Sequence, residues 1–203
     1  MSVETPAPSS RRPRALAAFL IVAGCVGLWA AFMLTMDKIH VLEDPSAQLS
    51  CSFSVLIGCV KNLGSWQGSV FGFPNPVFGL AAWSAVIAAG ASILAAGRLA
   101  RWWWLTFAAG TVVALGLVIF FITASLTDLR VLCPWCMVTW AVTIPTFWGV
   151  TLYTLKEGHL PLPPRARRVA GVLYGWVPLI TVACYAIVAV LAQLQLDWIH
   201  RAF

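Results

Sequence analysis

Charge is what this chain lacks: only 10% of its 203 residues are Asp, Glu, Lys or Arg, against 61% that are hydrophobic. With a mean hydropathy of +0.87, a soluble domain of this length could not hide its apolar surface, so lipid has to cover part of it. Acidic residues are scarcer still, 7 against 13 Lys and Arg, for a net charge of +6. A basic excess invites a nucleic-acid reading, but these residues are spread along the chain and form no binding stripe, so that class is set aside. The apolar runs carry almost no ionisable group near their midpoints, which argues against a transporter. Six cysteines are too few for a disulfide scaffold. No internal repeat is present.

What remains is a set of charge-free runs: 15–36, 77–97, 102–127, 131–155 and 169–196. Each has about the 20 apolar residues needed to cross ~30 Å of hydrocarbon, and only helices satisfy the backbone in single spans of that length. The expectation is an all-α integral membrane protein with five transmembrane helices in one domain, 15–203. A Pro-, Ser- and Arg-rich disordered tail over 1–14 precedes them, and the one long loop lies at 37–76. Arg11, Arg12 and Arg14 before the first run suggest a signal peptide. The run is too long for one, however, and lacks a convincing cleavage site, so it reads as a retained anchor. With the N-terminus cytoplasmic, Arg11, Arg12, Arg14, Arg98, Arg101, Lys156, Arg165, Arg167 and Arg168 lie inside, and only Lys38, Lys61, Arg130 and Arg201 lie outside. That is a positive-inside bias. Trp102, Trp103 and Trp104 would anchor the inner interface. The long loop turns apolar from Phe53 to Val60, which suits a segment resting on the membrane surface.

This topology puts four cysteines on one face. Cys51 and Cys59 fall in the outer loop, and Cys133 and Cys136 at the outer start of the fourth helix. In Cys133-Pro134-Trp135-Cys136, a Cys133 at the N-cap would leave Pro134 at the first helical position, where its missing N–H costs nothing. The helix N-terminus then favours thiolate, and a spacing of three lets the pair close a disulfide. Such a pair can react with a membrane-dissolved molecule, and the loop pair with an aqueous one, giving a two-stage relay by thiol–disulfide exchange. Two structural disulfides would account for the same residues, although a bundle gains little from a bridge at its own helix start. A four-thiolate zinc site is disfavoured by the loose spacing of Cys51 and Cys59, and no metal is expected. Cys25 and Cys184 read as ordinary packing residues inside helices. Trp140, four residues after Cys136, shares its helical face; its indole N–H could donate to a quinone carbonyl, or the ring could simply pack. Asn75, at the start of the second span, could hydrogen-bond a ligand or cap the helix. Asp128 and His40 stand on the proton-handling side, with solvated loop positions as the simpler reading.

In the loop pair, Ser65-Trp66, the stretch Phe71-Gly72-Phe73-Pro74-Asn75-Pro76 with Gly79, and Cys133-Pro134-Trp135-Cys136, the chain resembles the vitamin K epoxide reductase family, specifically its bacterial five-helix members. The resemblance covers about residues 15–155; quinone reductases of the DsbB type carry their C-x-x-C in the first loop instead. It implies a four-helix bundle around a quinone of menaquinone or ubiquinone type, with the fifth helix as an addition. It implies that Cys136 faces the quinone and that Cys133 exchanges with Cys51 or Cys59. It further implies that the loop pair oxidises a thioredoxin-fold, DsbA-like protein outside a bacterial inner membrane, in support of disulfide formation. With the chain ending at Phe203, that partner is expected to be separate. The same residues would serve a quinone or quinone-epoxide reductase whose purpose is the quinol. Two departures stand out: relatives often carry Tyr where this chain has Trp140, and small or hydroxyl residues where it has Val60-Lys61-Asn62.

Overall fold

The computed structural model describes residues 13–44, 49, 51–52, 57–96 and 99–197. The tail expected at 1–14 lies almost wholly outside these residues, as does half of the apolar stretch from Phe53 to Val60. Seven α-helices occur among them: α1 (Arg14–Glu43), α2 (Val60–Gly64), α3 (Asn75–Ala95), α4 (Arg101–Ala124), α5 (Pro134–Lys156), α6 (Pro164–Gly175) and α7 (Val177–Leu196). Five are long and apolar enough to span a bilayer: α1, α3, α4 with its wide C-terminal turn to Leu129, α5 and α7. No strand occurs among the described residues; a single isolated bridge joins Ile57 to Leu132.

α1 runs seven residues beyond the expected end of its span, so the loop starts later than residue 37. Its buried stripe is regular: Leu16, Leu20, Ala23, Gly27, Ala30, Leu34 and Asp37 alternate steps of four and three, the spacing that keeps one seam against a partner helix. The seam is lined by small residues, and α3 lies close along it. A Cβ on Gly27 would collide with the Trp83 ring, so glycine is what lets the two backbones approach.

α1 packs along α3 and α5, and α4 packs along α5, while α3 and α4 barely touch. These four helices form a bundle with one loose seam, and α7 stands outside it against α5. The expected fifth span over 169–196 is two helices, broken at Trp176. Pro178 cannot donate to the Tyr174 carbonyl and its ring clashes with that turn, while Gly175 weakens the helix just before it. α6 therefore carries Arg165, Arg167 and Arg168 on a short amphipathic segment, and only α7 has the composition of a span.

A second proline explains how α7 is held. Pro145 lies inside α5 and leaves the Ala141 carbonyl without its helical donor. The Tyr185 hydroxyl of α7 donates to that carbonyl. Tyr185→Phe should strand the carbonyl in an apolar seam and cost about 1–3 kcal/mol, read as a lowered thermal midpoint in detergent. An unchanged midpoint would mean that packing alone holds α7.

Candidate functional site

The C-terminus of α1 and the N-termini of α3 and α5 meet at one end of the bundle, and all four cysteines of the two pairs lie there. Arg14, Arg101 and Lys156 lie at the other end.

Cys133 is the N-cap of α5, in extended backbone, with Pro134 at the first helical position as expected; its sulfur accepts the Cys136 backbone N–H at 3.4 Å. The thiol is held below its ordinary range. The hydrogen bond from the Cys136 side chain is the main cause, helped by the Cys136 and Trp135 backbone and opposed by burial and by the charge of Asp37. Immediately before Cys133, the Leu132 carbonyl accepts the Gly58 N–H at 3.0 Å, beside the Ile57–Leu132 bridge. This short stretch of backbone pairing sets the next residue of each segment side by side. Cys59 and Cys133 are those residues, and their sulfurs are 3.2 Å apart.

Cys59 is bonded to Cys51, with their Cα atoms 5.9 Å apart, whereas Cys133 and Cys136 are free thiols. On the far side of this disulfide, Asp37 Oδ2 lies 3.2 Å from Cys51 Sγ. The order in space is thus Asp37, Cys51, Cys59, Cys133. Cys51, Cys59 and Cys133 are at most 1% exposed, and Asp37 is 4% exposed. Asp37, Cys51 and Cys59 bring an oxygen and two sulfurs within 4.8 Å of one another. In this state the two sulfurs are spent on their mutual bond, so the trio is not a metal-ligand set.

Cys136 faces elsewhere. It lines a cavity of about 170 Å³ inside the bundle, between Leu34 of α1, Trp83 of α3, Phe121 of α4 and Trp140 of α5. Its polar lining gathers at the cysteine end. The Asn62 amide lies 3.9 Å from Cys136 Sγ and donates to Ser125 Oγ at 3.4 Å. Gln67 donates to Asp128 at 3.3 Å. A larger cleft of about 360 Å³ occupies the loose seam between α3 and α4 and shares Phe78, Ala82, Trp83 and Leu117 with the central cavity.

Asn75 does not cap α3, because Pro74 holds that position. Its carbonyl accepts from Val70 N–H at 3.0 Å and its amide donates to the Gln67 carbonyl at 2.6 Å. It thereby ties down the turn that roofs the cavity it also lines. Trp140 is buried, packed among Val118, Ile122, Leu126, Leu132, Ala192 and Leu196, and its ring separates the central cavity from a cleft against α7. His40 is an exposed residue of α1 rather than of a loop, and Asp128 is exposed in the wide turn Ser125–Leu129. Cys25 is exposed on α1 and so is not a packing residue; Cys184 is half-buried in α7.

Sequence reading missed Asn62, Gln67, Ser125 and Asp37. Only Asp37 carried a usable signal, since it continues the stripe of Ala30 and Leu34 one step further.

Five helices fit to span a membrane, with a disulfide and a free thiol in van der Waals contact at one end, define a membrane protein built for thiol chemistry. The family model for the vitamin K epoxide reductase family matches residues 18–151, and the chain belongs to that family. Membership makes it a membrane oxidoreductase of the thiol–quinone class. Searches of curated proteins and of solved structures each found no match.

Proposed function

We propose that the chain re-oxidises an extracytoplasmic thioredoxin-fold dithiol protein through Cys51 and Cys59, and passes the electrons through Cys133 and Cys136 to a quinone in the central cavity. The observation that carries this reading is the 3.2 Å contact between Cys133 and Cys59, with Cys136 opening onto an apolar cavity on its other side. Two sealed structural bridges would not leave a free thiol against a disulfide.

Position supports a division of roles. Cys59 exchanges with Cys133, which leaves Cys51 for the protein donor. Both loop sulfurs are buried, so a donor meets Cys51 only after its cover moves. The donor thiolate attacks Cys51 and frees Cys59, Cys59 attacks Cys133 of the Cys133–Cys136 disulfide, and Cys136 leaves as the thiolate facing the cavity. The donor's second thiol then releases Cys51. A quinone held there would supply the two-electron acceptor. The fit is good: apolar walls for the ring, the amides of Asn62 and Asn75 for its oxygens, and the α3–α4 seam for a lipid tail. Trp140 forms one wall, and the buried site keeps water and stray thiols away from Cys136. The cationic end, with Arg14, Arg101, Lys156, Arg165, Arg167 and Arg168, faces the cytoplasm of a bacterial inner membrane by the positive-inside bias.

The test is oxidation of a reduced DsbA-like protein by purified full-length chain with a ubiquinone or menaquinone analogue. Donor oxidation matched by quinol formation is expected. A donor that stays reduced with either quinone, while Cys51–Cys59 stays closed, would overturn the reading.

A further inference from the structure

The four groups at the cysteine end are aligned as a proton-coupled exchange site. Thiol–disulfide exchange needs an attacking thiolate, a disulfide and a leaving group that tolerates its charge. Here Cys133 is in contact with Cys59, Cys59 is bonded to Cys51, and a buried carboxyl stands against Cys51. In the closed disulfide Cys51 has no proton, so any proton in its contact with Asp37 sits on the carboxyl. This is the arrangement expected just after Cys51 has given its proton away.

We propose that Asp37 is the general base of the loop half-reaction, taking the Cys51 thiol proton as Cys51 attacks Cys59 and displaces Cys133. The inference rests on the relay reading above and adds a residue to it. The step balances. Cys51–SH, the Cys59–Cys133 disulfide and the Asp37 carboxylate become the Cys51–Cys59 disulfide, the Cys133 thiolate and the Asp37 carboxylic acid. One S–S bond forms and one breaks, the electron pair leaves on Cys133, and the proton stays on Asp37. Run backwards, Asp37 is the acid that protonates Cys51 as it departs.

Charge conservation explains why a carboxyl suits this place. The cluster is buried, and a second negative charge there would be costly. Moving the proton to Asp37 as Cys133 ionises keeps a single negative charge in the cluster throughout. The Asp37 carboxylate disfavours the Cys133 thiolate; protonating Asp37 removes that opposition at the moment the thiolate forms. Cys133 in turn is placed to receive the charge, at the N-terminus of α5 with the Cys136 N–H on its sulfur. Among the described residues, the elements packed there carry few other titratable groups, with His40 three residues on along α1. Lys38 on α1 has its Nζ on the Leu63 carbonyl at 2.7 Å, α2 contributes Lys61, α5 contributes Cys133 and Cys136, and α3 has no titratable side chain.

The step can be isolated from donor and quinone. In full-length protein carrying Cys136→Ala, one disulfide is shared among Cys51, Cys59 and Cys133, and it can only shuttle. A pH jump, timed acid quench, alkylation and peptide mass spectrometry then report whether Cys51 or Cys133 is free. With Asp37 present, the relaxation rate should level off once the carboxyl is ionised, below the pH range of an ordinary thiol. Asp37→Asn should slow it by about 10²–10⁴-fold at neutral pH, the usual worth of a positioned base. That deficit should shrink roughly tenfold per pH unit towards pH ~8.5, where Cys51 ionises unaided. Asp37→Glu should recover most of the rate. An Asn variant with the unsubstituted rate and profile, or one slowed equally at every pH, would overturn the proposal. If the Asn variant does not fold, a profile with Asp37 present that never levels off below the thiol range does the same. A Cys51–Cys59 bridge that never isomerises with Asp37 in place would overturn the relay reading together with this one.

Discussion

Cys136→Ala is expected to abolish quinone reduction, by at least about a thousand-fold, while the loop disulfide still moves between Cys51–Cys59 and Cys59–Cys133. Losses of that size follow when a group that acts covalently is removed. The geometry gives the reason. Of the four relay sulfurs, only Cys136 lines the central cavity. Cys133 is buried at the N-cap and turned towards Cys59, and the loop sulfurs lie beyond it. An electron pair arriving at Cys133 therefore has no other sulfur through which to reach the cavity. Cys25→Ala and Cys184→Ala are the controls, since both lie on spanning helices away from the exchange site. The readout is quinol formation per mole of protein with donor in excess, alongside disulfide mapping of the same samples. Turnover surviving in Cys136→Ala would mean that the acceptor meets Cys133 directly, and the assignment of the cavity would fail with it.

Much of this arrangement was legible in the residues themselves, because it depends on local chemistry. The apolar runs mark the spans without reference to packing. The Cys-Pro sequence marks a helix start, since proline at the first turn costs no hydrogen bond, and the structure places Cys133 at the N-cap accordingly. The break at Trp176 was legible too, in Pro178, but hydropathy averaged across it.

What could not be read depends on contacts between distant residues. Nothing near Cys51 or Cys59 says which of them meets Cys133; the answer lies in one backbone hydrogen bond from Gly58 to Leu132. Tyr185 and Pro145 carry no sign that one repairs the defect left by the other. Asn62 reads as a polar loop residue until α2 folds over the bundle and turns its amide towards Cys136 and Ser125. Asp37 is the intermediate case. A charged residue after an apolar run reads as the start of a loop, yet its place in the α1 stripe marks it as buried.

Removing the two loop cysteines one at a time should give opposite disulfide maps. Cys51→Ala frees Cys59 beside Cys133, and the oxidised protein should carry Cys59–Cys133. Cys59 attacks Cys133 of the Cys133–Cys136 disulfide and Cys136 leaves. Well-oriented groups react with effective molarities of ~10⁵ M or more, so this closure should outrun attack on the same disulfide by millimolar small thiols by many orders of magnitude. Cys59→Ala should leave no bridge between loop and bundle, because the spatial order puts Cys51 behind Cys59 and against Asp37. Both variants should lose donor oxidation by at least about a thousand-fold, so activity alone cannot tell them apart. The map can: a Cys51–Cys133 bridge forming as readily in Cys59→Ala as Cys59–Cys133 does in Cys51→Ala would mean that the loop has no fixed register. The assignment of Cys59 to the bundle and Cys51 to the donor would then have to be given up.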